Sequence, residues 1–139
     1  MQSRFTLLAH PADIGIEAHG NTVAEAFASA ADGLMSLIAD PATIHGRLPR
    51  EIVLEGSDLE HLLFLWLSEI LYLCDGERFL VRHSTVTTVT NSHLRAVVVG
   101  EPLDPARHVL RTDVKGITYH QLAVEPAGAE WRLRVFVDV

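Results

Sequence analysis

What this chain lacks narrows its chemistry before any motif is considered. It has one cysteine, Cys74, and so can form neither an internal disulfide nor a multi-thiolate zinc site. That usage fits a reducing, cytoplasmic setting. Of the 11 basic residues only Lys115 is a lysine, and 18 acidic residues leave a formal net charge of −7. An acidic balance argues against direct nucleic-acid binding, which asks for a basic face. Aromatic residues make up only 6%, so the core has to be assembled mainly from Leu, Val, Ile and Ala. The most apolar stretch, Leu62 to Leu73, is broken by Ser68 and Glu69. It is shorter than the ~20 residues that span a bilayer, and no membrane partner is expected. Met1 to His10 carries no apolar run behind a basic region, so no secretory signal is expected either.

Catalytic signatures are missing as well. The eight histidines follow no ligand-like spacing, and neither a His-x-x-x-His nor a Cys/His arrangement occurs. There is no Ser/His/Asp signature, no Gly-rich phosphate loop and no nucleophile elbow. Cys74 reads as a core residue. No catalytic residue is assigned.

What is present reads as one α+β domain covering residues 1–139, with no repeat or linker. Phe5 to Ala9 is expected to form an opening strand. A His10-Pro11-Ala12-Asp13 turn leads to Ile14, Ile16 and Ala18, which alternate with Gly15, Glu17 and His19 as a half-buried strand would. Thr22 and Glu25 make a capping box ahead of Phe27, Ala30, Ala31, Leu34 and Ile38 at helical spacing. Asp40-Pro41 stops that helix. Ile44 and Ile52 to Leu54 suggest extended structure around a loop at Gly46 to Arg50. Ser57 and Glu60 read as a second capping box, opening a helix from Asp58 to Cys74 that is apolar on nearly every side. That helix is expected to be the central buried one. Val86 to Thr90 and Leu94 to Val99 flank an Asn91-Ser92 turn, and Glu101 to Arg107 reads as a loop. Ile117 to Val124 and Trp131 to Val137 form a last pair of strands.

Several carboxylates stand where chemistry could gather. Asp13 lies at the seam between two strands, where an Asx-type turn explains it as readily as a ligand role does. In the last strand Trp131, Leu133, Val135, Val137 and Val139 share one face, and Arg132, Arg134, Phe136 and Asp138 the other. Asp138 is followed at once by Val139, whose terminal carboxylate is expected to add a second anionic group. Oxygen donors of this kind suit hard divalent cations such as Ca²⁺ or Mg²⁺, whereas a frayed end is the plain alternative. Glu69 interrupts the apolar helix, and either an arginine pair or a groove facing a partner would account for it. Lys115 sits in Asp113-Val114-Lys115-Gly116-Ile117-Thr118-Tyr119-His120, a polar run that also reads as a solvated strand edge.

The chain resembles the archease family. The resemblance rests on His10-Pro11-Ala12-Asp13-Ile14-Gly15-Ile16-Glu17-Ala18-His19-Gly20, on Thr22 to Ala31 with Asp40, and on Asp58 to Tyr72. It continues through Gly100-Glu101 and Val114-Lys115-Gly116-Ile117-Thr118-Tyr119-His120 to Phe136-Val137-Asp138-Val139. Together these motifs span the whole chain in the family's order. Gly116 departs from a commoner alanine, and Pro11 stands where a threonine is frequent; neither removes a ligand.

The resemblance implies a strand-helix-strand-strand fold, a mostly antiparallel sheet packed on two helices. It implies a bound divalent metal, usually Ca²⁺, with Mg²⁺ or Mn²⁺ as alternatives, held by Asp13, Asp138 and Val139. It implies an accessory protein of the 3′-phosphate/5′-hydroxyl RNA ligase of tRNA splicing and repair, one that helps the ligase become guanylylated and turn over, and is no enzyme itself. Asp40, Glu69 and Lys115 would then lie near the metal and the ligase-facing surface. Two other classes stay open: a small metal-dependent phosphoester hydrolase, and a protein-interaction module whose metal is structural.

Overall fold

Strands of period two at both ends of the chain zip into one sheet. The computed structural model describes residues 3–10 and 13–139. Pro11 and Ala12 of the expected turn lie outside the described residues, as do Met1 and Gln2. Strand β1 (Arg4–His10) pairs antiparallel with β2 (Asp13–Gly20), which continues through Asn21 into helix α1 (Val23–Ile38). The capping box holds: Thr22 Oγ1 accepts from the Glu25 N–H at 3.1 Å, and a Glu25 carboxylate oxygen accepts from the Asn21 N–H at 3.0 Å.

After a 3₁₀ turn at Pro41–Thr43 come β3 (Leu48–Glu55), helix α2 (Leu59–Asp75), β4 (Phe79–Val89) and β5 (His93–Pro102). Two short strands, β6 (Gly116–Ile117) and β7 (Ala123–Ala127), precede the closing strand β8 (Glu130–Asp138). Every pairing is antiparallel, as an α+β chain of this type requires. The strands divide between two sheets: β1-β2-β8-β6, with β7 also on β8, and β3-β5-β4. Both sheets and both helices share one hydrophobic core. No helix among the described residues is long and apolar enough to cross a membrane.

The structure corrects four details. The helix at the centre is α1: eleven of its sixteen residues are buried, against eight of seventeen in α2. Its Ala, Gly and Ser residues let β1, β2, β4, β8 and α2 approach closely, while α2 leaves Tyr72 more than half exposed. The second cap is Asp58, which accepts from the His61 N–H at 2.8 Å. His61 takes the reciprocal role expected of Glu60, its Nδ1 accepting from the Ser57 N–H at 3.0 Å. The expected strand Ile117–Val124 is broken in its middle. Gln121 there adopts φ 52°, a left-handed turn that no strand continues through. Finally, β4 begins at Phe79 rather than Val86, because Phe79, Leu80 and Val81 are three successive buried residues without alternation.

Helix α2 is pinned to α1 by Trp66, whose buried indole N–H donates to the Phe27 carbonyl at 2.9 Å. Two turns farther along α2, Cys74 packs on Met35, and burial pushes its thiol up to about 12, so the lone cysteine is inert core. At the end of β5, Glu101 gathers the loops: it accepts from the His45 N–H, both arms of Arg107 and His108 Nε2. His108 Nδ1 accepts from the Asp104 N–H, which fixes the proton on Nε2.

These donors, Arg107 first, hold the Glu101 carboxyl well below the ordinary carboxylate range. A depressed value contributes stability that is fully present above the unfolded value of about 4.3 and is lost as pH falls through the native one. Melting temperature followed from pH 7 to pH 3 is therefore expected to fall less steeply in Glu101→Gln than in the parent. A tighter constraint lies at Gly100, where an added Cβ would overlap the Leu80 carbonyl oxygen across the β4–β5 pair. Gly100→Ala is expected to cost about 3 kcal/mol or more, read as a lowered denaturant midpoint.

Candidate metal and partner site

The site forms where the two ends of the large sheet meet. In β2 and β8, Ile14, Ile16 and Ala18 stand opposite Val137, Val135 and Leu133, and this face is the sheet's contribution to the core. The opposite face carries the alternate pairs: Asp13 with Asp138, Gly15 with Phe136, Glu17 with Arg134, and His19 with Arg132. Two of these pairs are chemically easy. Glu17 and Arg134 are of opposite sign, and Glu17 also meets His19 at 3.3 Å. Phe136 lies over Gly15, whose missing side chain makes room for the ring: a Cβ there would come within 2.9 Å of it.

Asp13 and Asp138 are the difficult pair. Residues directly opposite in an antiparallel sheet hold their side chains about 5 Å apart on one face, and like charges there destabilise. The repulsion is on the order of 1 kcal/mol in water and larger where solvent is excluded. The expected meeting of the first turn with the last residues is thus what the register gives. Val139 follows directly, little more than a third exposed.

Lys115 reaches the same rim through its main chain, its N–H donating to the Asp138 carbonyl at 2.7 Å, and Gly116 pairs with Asp138 as a strand partner. The Thr118 N–H and hydroxyl both donate to the Phe136 carbonyl at 3.0 Å, and the His120 ring meets the Phe136 edge. The polar run around Lys115 is therefore the third side of the site, rather than a free strand edge.

The other two predicted residues work elsewhere. Asp40 caps the 3₁₀ turn, accepting from the Ala42 N–H at 3.0 Å, and faces Arg111 at 3.6 Å. Those contacts tie it to the segment before β6, not to the Asp13–Asp138 pair. Glu69 is half-buried on α2 and makes no ion pair among the described residues, so the arginine explanation for it fails.

Sequence reasoning missed the aromatic flank. Phe64 of α2 stacks on Tyr119 with centroids 4.2 Å apart and planes 11° from parallel. The helical spacing of Phe64, Ser68, Leu71, Tyr72 and Asp75 was the available signal.

The donors gathered here are oxygens, the set a hard divalent cation prefers. Among the described residues no three His, Cys, Asp or Glu side chains converge, so the side chains here supply two carboxylates and no third. A cation at this rim would take Asp13 and Asp138 and complete its shell from main-chain or terminal oxygens and solvent.

Comparison with known proteins agrees with this architecture. The model of the Archease protein family matches residues 5–139. The chain belongs to the archease family. The archease of Methanosarcina acetivorans is 35% identical over 98% of this chain and 96% of its own length. That of Sulfolobus acidocaldarius is 36% identical over 99% of each. The fold is shared with the solution structure of protein 1598 of Methanobacterium thermoautotrophicum, at 24% identity and TM-score 0.82, covering 97% of this chain and 98% of that one. A crystal structure of a Thermotoga maritima archease aligns at TM-score 0.67 with 21% identity, over 95% of this chain and 94% of that one.

A like-charged pair relieved by a cation has a measurable signature in this archease-family chain. Added Ca²⁺ is expected to raise the parent's melting temperature through mass action. Asp138→Asn is expected to melt slightly higher than the parent without metal, yet to gain little from Ca²⁺. Equal Ca²⁺ responses in the two proteins would count against the pair as a ligand set.

Proposed function

We propose that this protein is a metal-binding accessory factor of a 3′-phosphate/5′-hydroxyl RNA ligase in tRNA splicing or RNA repair. It promotes guanylylation and repeated turnover of the ligase and joins no RNA itself. One observation carries the reading: a chain of the archease family brings Asp13 and Asp138, from its two ends, into a single like-charged cross-strand pair. The Thermotoga maritima relative is described as a possible chaperone, a role of the same accessory kind.

Asp13, Asp138 and an oxygen of Val139 would hold the cation, Ca²⁺ by preference, with Mg²⁺ or Mn²⁺ able to substitute. The ion would supply positive charge at an acidic rim, neutralising the pair so that both strand ends stay docked. Lys115 keeps the rim closed by holding the Asp138 carbonyl. Phe136 and Gly15 form a rigid platform one step inward. With net charge −7 the chain is suited to a protein partner that handles RNA, rather than to RNA directly.

Substoichiometric amounts added to the purified ligase are expected to raise the guanylylated fraction and the number of turnovers, with Asp13→Ala failing to do so. Stimulation by neither protein would sink the proposal. Extending the chain past Val139 with a short Gly-Ser tail is expected to weaken Ca²⁺ affinity in calorimetry, and unchanged affinity would remove Val139 from the ligand set.

A further inference from the structure

Beside the acidic rim runs an open apolar groove that the metal site does not use. Its floor is Phe64 and Leu71 of α2, with Gly116 and Ile117 of β6 along the opposite wall. Tyr119 closes one end, stacked on Phe64 and 58% exposed; Tyr72, 53% exposed, stands at the other. Two large aromatic side chains half in water are out of keeping with a chain so poor in aromatics, and exposed apolar patches of this kind mark docking surfaces.

The groove's charge identifies what fits. Asp75 lines it at the C-terminal end of α2, where the last-turn carbonyls already give a partial negative charge. No basic residue stands in that last turn to offset it. Gly116 joins the groove to Asp138, and through it to Asp13. Lys115 is the neighbouring cation on this side. Arg78 and Arg111 face a separate cleft on the far side of Asp75, with Ile38 and Leu103. The surface is thus aromatic along its length and acidic at the end marked by Asp75.

We propose that this groove receives a segment of the partner ligase carrying an apolar or aromatic anchor with a basic residue beside it. This rests on the ligase reading above and names the surface through which the accessory role is exerted. RNA is the other class of molecule that stacks on tyrosine. Its phosphates would have to lie against Asp75 and the negative C-terminal end of α2, so the charge selects protein. The anchor seats between Tyr72 and Tyr119, and an Arg or Lys side chain beside it meets Asp75. Docking there sets the metal-bearing tip against the ligase at a fixed distance from the anchor.

The test uses the full chain and the purified host ligase, with binding followed by calorimetry and guanylylation assayed in parallel. Tyr119→Ala and Tyr72→Ala are each expected to weaken ligase binding at least tenfold and to lower stimulation in proportion. Tyr119→Phe, which keeps the stacked ring, is expected to stay within twofold of the parent. Asp75→Lys is expected to weaken binding as strongly as the tyrosine deletions, and the parent's affinity to fall with added salt. Ca²⁺ affinity should stay at the parental value in the tyrosine variants, separating docking from the metal site. Parental binding by both alanine variants overturns the groove while leaving the ligase reading standing. A parent protein that neither binds nor stimulates the ligase overturns both. Tyr119-dependent binding of an RNA oligonucleotide by this protein alone overturns the choice of protein over RNA.

Discussion

Eight consecutive residue pairs between β2 and β8 carry the rest of this structure. They join residues more than a hundred positions apart in sequence, so the loop they close is nearly the entire chain, and its entropy must be met by burial on one face. That burial comes from Ile16, Ala18, Leu133, Val135 and Val137, all almost inaccessible and all on the face turned to α1. A slip of one residue would turn this set outward, so register is strongly specified. The same register that buries the valines sets Asp13 against Asp138. The candidate site is in this sense a by-product of the core, held with the precision of the core.

Helix α1 shows how the two sheets share that core. Ala26, Ala30, Ala31 and Gly33 leave almost no side chain between its backbone and the strands, and a Cβ on Gly33 would press into Ile16 and Phe5. Bulk is supplied instead by Phe27, Leu34 and Trp66, the last with its one polar atom satisfied by the helix it packs on. Few aromatics are enough because the small residues do the spacing.

Much of this was legible from residue pattern. Alternation in 14–18 and 131–137, helical spacing in 27–38 and the Thr22 cap are local signals, and each element stands where its signal lies. The α+β class followed from their order, whereas the meeting of Asp13 with Asp138 was implied by the family resemblance and not by residue pattern. What escaped was set by tertiary context. The rank of burial between α1 and α2 depends on which helix is sandwiched, and hydrophobicity alone favoured the wrong one. The break at Gln121 depends on β8 offering Asp138 and Val137 to β6, then Arg134 to Ala127's strand, with a turn required between. His61 replaced Glu60 at the second cap because the helix begins one residue later than Ser57 suggested. The stacking of Phe64 on Tyr119 joins a helix to a turn some fifty residues away: helical spacing marks the face that carries Phe64, but no local pattern reports its partner.

The division between faces also explains how one small domain can carry a strained rim without losing stability. The repulsion between Asp13 and Asp138 falls at the last pair of the ladder, where only the strand ends are exposed to it. Inward of that pair, Phe136 over Gly15 and then Glu17 against Arg134 are favourable, so the cost cannot propagate along the sheet. On the third side, Lys115 and Thr118 secure the carbonyls of Asp138 and Phe136, leaving the side chain of Asp138 as the exposed element. An acidic pair placed in the middle of β2 and β8 would compete with folding. Placed at their end, it is a local charge concentration on a rigid support, which is the arrangement a cation-bearing contact surface needs.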